Sequence, residues 1–405
     1  MSKSIQIWIA KLLLHSLEIF QNQSFRAVYS VIVTIFCAIN VLGSIIGFYN
    51  VTEISDKILA FVAITAQLNG ILLFATVFVY REKLLVLFDK LEKEQENVDA
   101  GLDRAEVIIK KKLVILFAAI FLAFMIYLLP PLIFNLFAES FSNKQSSVIP
   151  YCYSCNEKNS NKRFCWDIST STSTTVHAVN LYQAISLATY MFAYILSFTL
   201  YGLMVGELEI HMEIVGRKVD QFNEVANETD ANIDDMLKTN SQIDDTEDRL
   251  HQQFLLIIKY QKFLNGCVAE ALDLWKLYVS YYYASAFVDI TAILYGIITL
   301  GSDEKFLAIR GMGLIVGRVL MAFTIAYYSQ SISYLNEDFL DIMAKIRWYN
   351  RRVKFCKTYH QMLTFHQVPN VMKLAGVVEL NLSCFTRLMK NVYTVVNLMY
   401  LMFAK

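Results

Sequence analysis

Residues 374–405 read LAGVVELNLSCFTRLMKNVYTVVNLMYLMFAK. The stretch starts with polar and basic residues, carries no charge from Asn391 to Ala404, and is followed only by Lys405. An apolar run of this kind suits the last helix of a membrane bundle. Arg387, Asn391, Thr394 and Asn397 recur near helical spacing, so one face of that helix should meet something wetter than lipid.

Composition points the same way. Of 405 residues, 56% are hydrophobic and 14% aromatic, and the formal net charge is +0. The mean hydropathy is +0.42. A soluble domain is about 45–50% apolar. Only 4 Pro and 14 Gly are present, which implies few loops and long helices. A balanced charge gives no basis for a nucleic-acid partner. Residues 1–24 are amphipathic and lack a long apolar core and a small-residue cleavage site, so they read as an interfacial helix rather than a signal peptide.

Charge-free intervals mark the spans. Arg26 and Glu53 frame span 1, Lys57 and Arg81 frame span 2, and Lys112 and Glu139 frame span 3, with Pro130 and Pro131 near its far end. Span 4 falls at residues 178–205, after a Ser/Thr run. Span 5, residues 278–300, holds Asp289; span 6, residues 309–333, holds Arg318; the closing stretch is span 7. The predicted fold class is all-α: a polytopic membrane protein with seven transmembrane helices.

Most of the 36 Lys and Arg fall in the N-terminus and the 2–3, 4–5 and 6–7 connections. The positive-inside rule then puts the N-terminus in the cytoplasm and Lys405 outside. The short 2–3 connection, with Arg81, Lys83, Lys90, Lys93, Arg104, Lys110, Lys111 and Lys112, agrees. Cys152, Cys155 and Cys165 cluster in the 3–4 loop, outside in this topology, where disulfides persist. Three cysteines allow one bridge and a leftover, and the spacing does not choose the pair. His177 lies nearby, but structural zinc takes four well-spaced ligands, and no metal site is expected. Asn50-Val51-Thr52 is a glycosylation sequon in the outer 1–2 loop.

The cytoplasmic connections carry their own patterns. Residues 82–105 read as helix with Leu84, Leu87, Phe88 and Leu91 on one face. Residues 214–248 are acidic and polar and read as a partly disordered linker. Residues 250–276 and 334–368 read as helix again, so spans 4 to 7 are expected to continue into the cytoplasm.

Ionisable residues inside a span are costly and usually paired. Asp289 and Arg318 both lie about 15–17 Å below the outer ends of their helices, so they can meet at one depth. The outer halves of spans 2, 3, 4 and 6 mix apolar and aromatic residues with a few hydroxyls and amides, which suits a pocket for a small apolar ligand. Phe61, Thr65, Leu68 and Asn69 share a face of span 2; Phe124, Tyr127 and Leu128 sit in span 3; Tyr182, Ile185 and Thr189 sit in span 4. There is no G-x-S-x-G, H-E-x-x-H or P-loop, and the 6 His are dispersed, so neither an enzyme nor a cofactor is expected.

Trp348-Tyr349, Arg351-Arg352, Gln367-Val368-Pro369, Leu374-Ala375-Gly376, Leu380-Asn381-Leu382, Phe385, Lys390 and Tyr393 follow one another in an order that resembles the C-terminal signature of the insect odorant receptors. The resemblance is strongest over the C-terminal region and diffuse elsewhere. It implies an odorant-gated cation channel in the plasma membrane of sensory neurons, a hetero-tetramer with a shared co-receptor subunit, and a small volatile hydrophobic ligand. It also implies a division of the chain into transmembrane helices 1–6 with the odorant pocket in their outer half (residues 1–333), a cytoplasmic anchor region (334–375) and a pore-lining last helix (376–405). Aligned on Tyr393, the family's pore positions fall on Val396, Met399 and Tyr400. An apolar ring can gate by dewetting. The resemblance thus assigns the channel wall to a face that the polar stripe mostly avoids, since Thr394 lies about 160° round the helix from Val396.

Gustatory receptors, channels gated by tastants, are the alternative. They end in T-Y followed by Q-F, where this chain has Val392-Tyr393 and Met399-Tyr400, and the co-receptor also carries T-Y and a glutamine. These departures favour a ligand-tuning odorant receptor. A G-protein-coupled receptor would need the opposite orientation and usually shows D-R-Y and N-P-x-x-Y, both absent. A transporter would more often show two similar halves or broken helices.

Overall fold

The computed structural model describes residues 54–96, 173–235, 240–299 and 305–403, with isolated positions between 39 and 49. The N-terminal amphipathic stretch, most of span 1, the sequon, span 3 and the loop with Cys152, Cys155 and Cys165 lie outside the described residues.

Four long helices dominate: α1 (Ile54–Glu96), α2 (Ser173–Asp235), α3 (Asn240–Thr299) and α4 (Lys305–Ala344). None contains proline, so nothing removes a ladder hydrogen bond along them. With 63 residues in α2 and 60 in α3, each extends about 90 Å, three times the hydrocarbon thickness of a bilayer. Among the described residues, α3 and α4 contain segments long and apolar enough to cross a membrane. Every pair of these four helices except α1 with α4 forms a substantial contact, and α3 touches all the others.

The acidic stretch 214–248 is a correction to the sequence reading. Instead of a disordered linker, α2 continues to Asp235 and α3 begins at Asn240. Polar composition hid this because the helix is held by a few apolar positions on one side. Ile214, Val215, Val219, Phe222 and Ala226 are buried, and the charged residues take the other side. The segment 334–368 also differs from one helix. α4 ends at Ala344, a 3₁₀ turn spans Trp348–Asn350, and α5 runs over Val353–His366.

Past α5, Pro369 stops the helix, and a small hairpin follows: β1 (Lys373–Leu374) pairs antiparallel with β2 (Val378–Glu379), Lys373 opposite Glu379 and Leu374 opposite Val378. Its turn closes through Val377 N–H donating to the Leu374 carbonyl at 3.0 Å. Ala375 at φ 49° and Gly376 at φ 79° both occupy the left-handed region that such hairpin turns require. The last helix, α6 (Leu382–Phe403), begins at once, with the Asn381 side chain accepting from Cys384 N–H at 2.8 Å as N-cap.

The half of the bundle around α5 has a dense core. Leu84, Leu87, Phe88 and Leu91 are all buried, as their helical spacing predicted. Phe254 and Phe355 lie 4.5 Å apart between ring centres, Phe222 stacks on Phe355 at 5.9 Å, and Trp348 stacks on Tyr359 at 5.6 Å. Arg351, 8% exposed, ties the layers together through Glu247 (2.9 Å) and the Ala226 carbonyl (3.3 Å).

Candidate functional site

The polar residues of the predicted membrane region converge on α3. Arg318 Nη2 of α4 lies 2.7 Å from Asp289 Oδ2 of α3, with both side chains buried. The Thr65 hydroxyl of α1 donates to the other Asp289 oxygen. One turn along, Asn69 Nδ2 donates to Ser285 Oγ at 2.8 Å, and Ser285 in turn donates to the Tyr282 carbonyl at 2.9 Å. The Arg318 guanidinium stands 5.7 Å from the Tyr282 ring centre, and the Tyr282 hydroxyl donates to the Arg318 carbonyl at 3.3 Å. The Tyr283 hydroxyl donates to the Ala322 carbonyl at 2.6 Å. In an apolar medium an unmet polar group costs several kcal/mol, so such contacts fix how helices face one another.

Sequence reasoning grouped Thr65 and Asn69 with Phe61 and Leu68 as one ligand-facing surface. The structure divides the group: Thr65 and Asn69 turn into α3, Phe61 is half-buried, and Leu68 is 39% exposed. Phe124, Tyr127 and Leu128 lie outside the described residues, and Tyr182, Ile185 and Thr189 fall in α2 upstream of its described side chains, which begin at Ser197. Ser285 and the Tyr282–Tyr283 pair were missed. Their signal was the run YVSYYYAS in span 5, a density of hydroxyls that a lipid-facing helix does not carry.

The last helix packs on α3 and α4. Val392 and Val396 are buried against the bundle, and Phe385 meets Phe323 edge-on at 5.6 Å. Leu382 N–H donates to Gln330 Oε1 at 3.0 Å. Met399 is half-buried and Tyr400 is 50% exposed, so the three pore positions do not share one environment. The polar stripe of Arg387, Asn391, Thr394 and Asn397 is exposed, together with Tyr393, Leu398, Leu401 and Met402. This outer face is amphipathic and has no partner in the single chain among the described residues.

Beneath α6 lies a cleft of about 810 Å³, lined by Glu209 and Glu213 of α2, by Tyr327, Gln330, Tyr334, Asp338 and Asp341 of α4, and by Leu382. Burial and the neighbouring Asp341 push the Asp338 carboxyl up from its ordinary value. Further in, His366 Nδ1–H donates to the Met362 carbonyl at 3.0 Å, which fixes the tautomer and leaves Nε2 to accept from Asn265 Nδ2 at 2.7 Å. Burial lowers its pKa. Among the described residues no group of three or more His, Cys, Asp or Glu is arranged to hold a metal ion.

Long helices joined by buried polar contacts, with a last helix that packs on α3 and α4 by one face only, fit a helical membrane protein. The chain belongs to the 7tm Odorant receptor family, whose sequence model matches residues 50–393. The match makes it a membrane receptor of olfaction and not an enzyme. The insect olfactory receptor OR5 from Machilis hrabei in complex with eugenol has a similar fold, with TM-score 0.69 at 14% identity over 95% of this chain and 91% of that one. A second structure of OR5 gives TM-score 0.62 at 14% identity over 94% and 90%. No curated protein matches the chain.

Proposed function

We propose that the chain is a ligand-tuning subunit of an odorant-gated cation channel, which opens a shared pore in a hetero-tetramer with the odorant co-receptor. The observation that carries this reading is the family match over residues 50–393. The subunit spans the plasma membrane of a sensory neuron seven times, with its N-terminus in the cytoplasm and its C-terminus outside. It divides into transmembrane helices and pocket (residues 1–333), cytoplasmic anchor (334–375) and pore helix (376–405). α4 passes residue 333 without interruption, so that boundary is a change of surroundings along one helix.

The ligand is a small volatile hydrophobic molecule, held in the outer half by Phe61 and Leu68 with Phe124, Tyr127, Leu128, Tyr182, Ile185 and Thr189. The eugenol complex of OR5, an oily phenol in a receptor of like fold, supports that class. The last helix lines the pore through Val396, Met399 and Tyr400. Tyr400 is 50% exposed, whereas Val396, 5% exposed, packs against the bundle of its own chain. The test is co-expression with the co-receptor in oocytes and a panel of volatiles. Odorant-evoked cation current is expected, and Val396→Ala with Tyr400→Ala should alter basal leak or ion selectivity. A chain that reaches the surface with its co-receptor yet passes no current with any volatile would reject the reading.

A further inference from the structure

The contacts that join α1, α3 and α4 differ in charge. We propose that this difference is a gating latch: the Asp289–Arg318 ion pair keeps α3 and α4 together throughout, while the hydrogen bonds Thr65–Asp289 and Asn69–Ser285, to which α1 brings no charge, part when the channel opens. The inference rests on the channel reading above and deepens it.

Three observations carry it. First, the two hydrogen bonds form a seam. Thr65 and Asn69 are four residues apart on α1, and Asp289 and Ser285 are four apart on α3, so the rungs lie one helical turn, about 6 Å, from each other. Second, the cost of parting differs. Separating Arg318 from Asp289 would strand two buried charges, whereas separating Thr65 leaves Asp289 paired with Arg318. Third, α6 is attached to the charged side of the seam. It packs on α3 and α4, through Phe323–Phe385 and Gln330–Leu382, and the hairpin before it accepts support from α3, where Ala375 N–H donates to Ser280 Oγ at 3.0 Å. Movement along the seam therefore displaces the last helix together with α3 and α4, while Phe61 and Leu68 stay with α1 on the other side.

The test locks the seam. The double variant Asn69→Cys with Ser285→Cys is expressed with the co-receptor and oxidised with copper phenanthroline. The odorant-evoked current should fall at least about tenfold and return on adding dithiothreitol, and in either single cysteine variant the evoked current should be unchanged by oxidation. A double variant that has lost labelling by a membrane-permeant maleimide on oxidation yet still opens normally overturns the latch. A second arm needs no crosslink. At unchanged surface level, Thr65→Val should raise basal current or lower the half-maximal odorant concentration by about tenfold, and Thr65→Ser should restore wild-type behaviour. Wild-type behaviour in Thr65→Val overturns the latch, as does failure of Thr65→Ser to rescue. The wild-type channel in the same cells separates the two levels of the argument. An evoked wild-type current with an indifferent seam defeats the latch alone; no wild-type current defeats the channel reading and the latch with it.

Discussion

Around Phe254, α3 meets its neighbours through aromatic rings: Phe222, Phe355 and Tyr359 fill the space between α2 and α5. Around Asp289, about 50 Å along the same helix, α3 meets α1 and α4 through a hydroxyl, an amide and a charge pair. In water, taking aromatic area out of solvent is itself the driving force, so a core of rings such as that around Phe254 needs few directional contacts. In lipid the surroundings are as apolar as leucine, and helix association rests on close packing and on polar groups that find partners only in one arrangement. At Gly311, a Cβ would sit 3.0 Å from the Ile297 side chain of α3, so the missing side chain lets α4 approach without shifting it.

Breaking either end should cost similar energy by different routes. Phe254→Ala opens a cavity in the aromatic core and should destabilise by about 3–5 kcal/mol, read as a lower melting temperature of detergent-purified protein. Asp289→Asn alone, or Arg318→Met alone, should cost about 3–5 kcal/mol by stranding a buried charge. The double change should recover much of that loss, and additive losses would contradict the pairing. The aromatic end should also be the acid-sensitive one. His211 is buried against Tyr260, its Nδ1 2.5 Å from the hydroxyl; burial, assisted by Lys218 and opposed by the Leu91 carbonyl, lowers its pKa to about 4. The unfolded chain takes up that proton near pH 6.5, so stability is full above that value and falls between about pH 6.5 and 4, by on the order of 3 kcal/mol. Melting curves of His211→Phe across that range should be flatter than wild type; equal slopes would put the acid sensitivity elsewhere. The smallest effect belongs to Lys90–Glu270, a partly exposed pair at 2.9 Å, where Lys90→Ala should change stability by about 0.5 kcal/mol or less.

Much of the helical pattern was legible because its signals are local. The apolar intervals at residues 58–80, 278–300 and 309–333 fall on α1, α3 and α4, and the spacing of Leu84, Leu87, Phe88 and Leu91 identified a buried face. The acidic segment was misread because composition averages over all faces of a helix, whereas burial of Val215, Val219 and Phe222 depends on one. The order Leu374-Ala375-Gly376 suggested a family likeness without giving a reason for the glycine, and the positive φ of Gly376 in the hairpin turn supplies one. A Gly376→Ala change would have to hold a second left-handed alanine beside Ala375, at a cost of about 1–2 kcal/mol.

By itself the sequence determined that the chain is helical, that its helices are longer than a membrane is thick, and that Asp289 and Arg318 can meet between neighbouring helices. Those properties follow from period, length and the cost of charge in an apolar medium, all readable along one chain. Only the tertiary structure decided that Thr65 and Asn69 hold α3, that Val396 and Tyr400 of the last helix occupy different surroundings, and that α6 is attached to the charged side of the seam. The reason is directional: spacing places a residue on a helix face, but the neighbour that face turns toward is fixed only when all the helices pack.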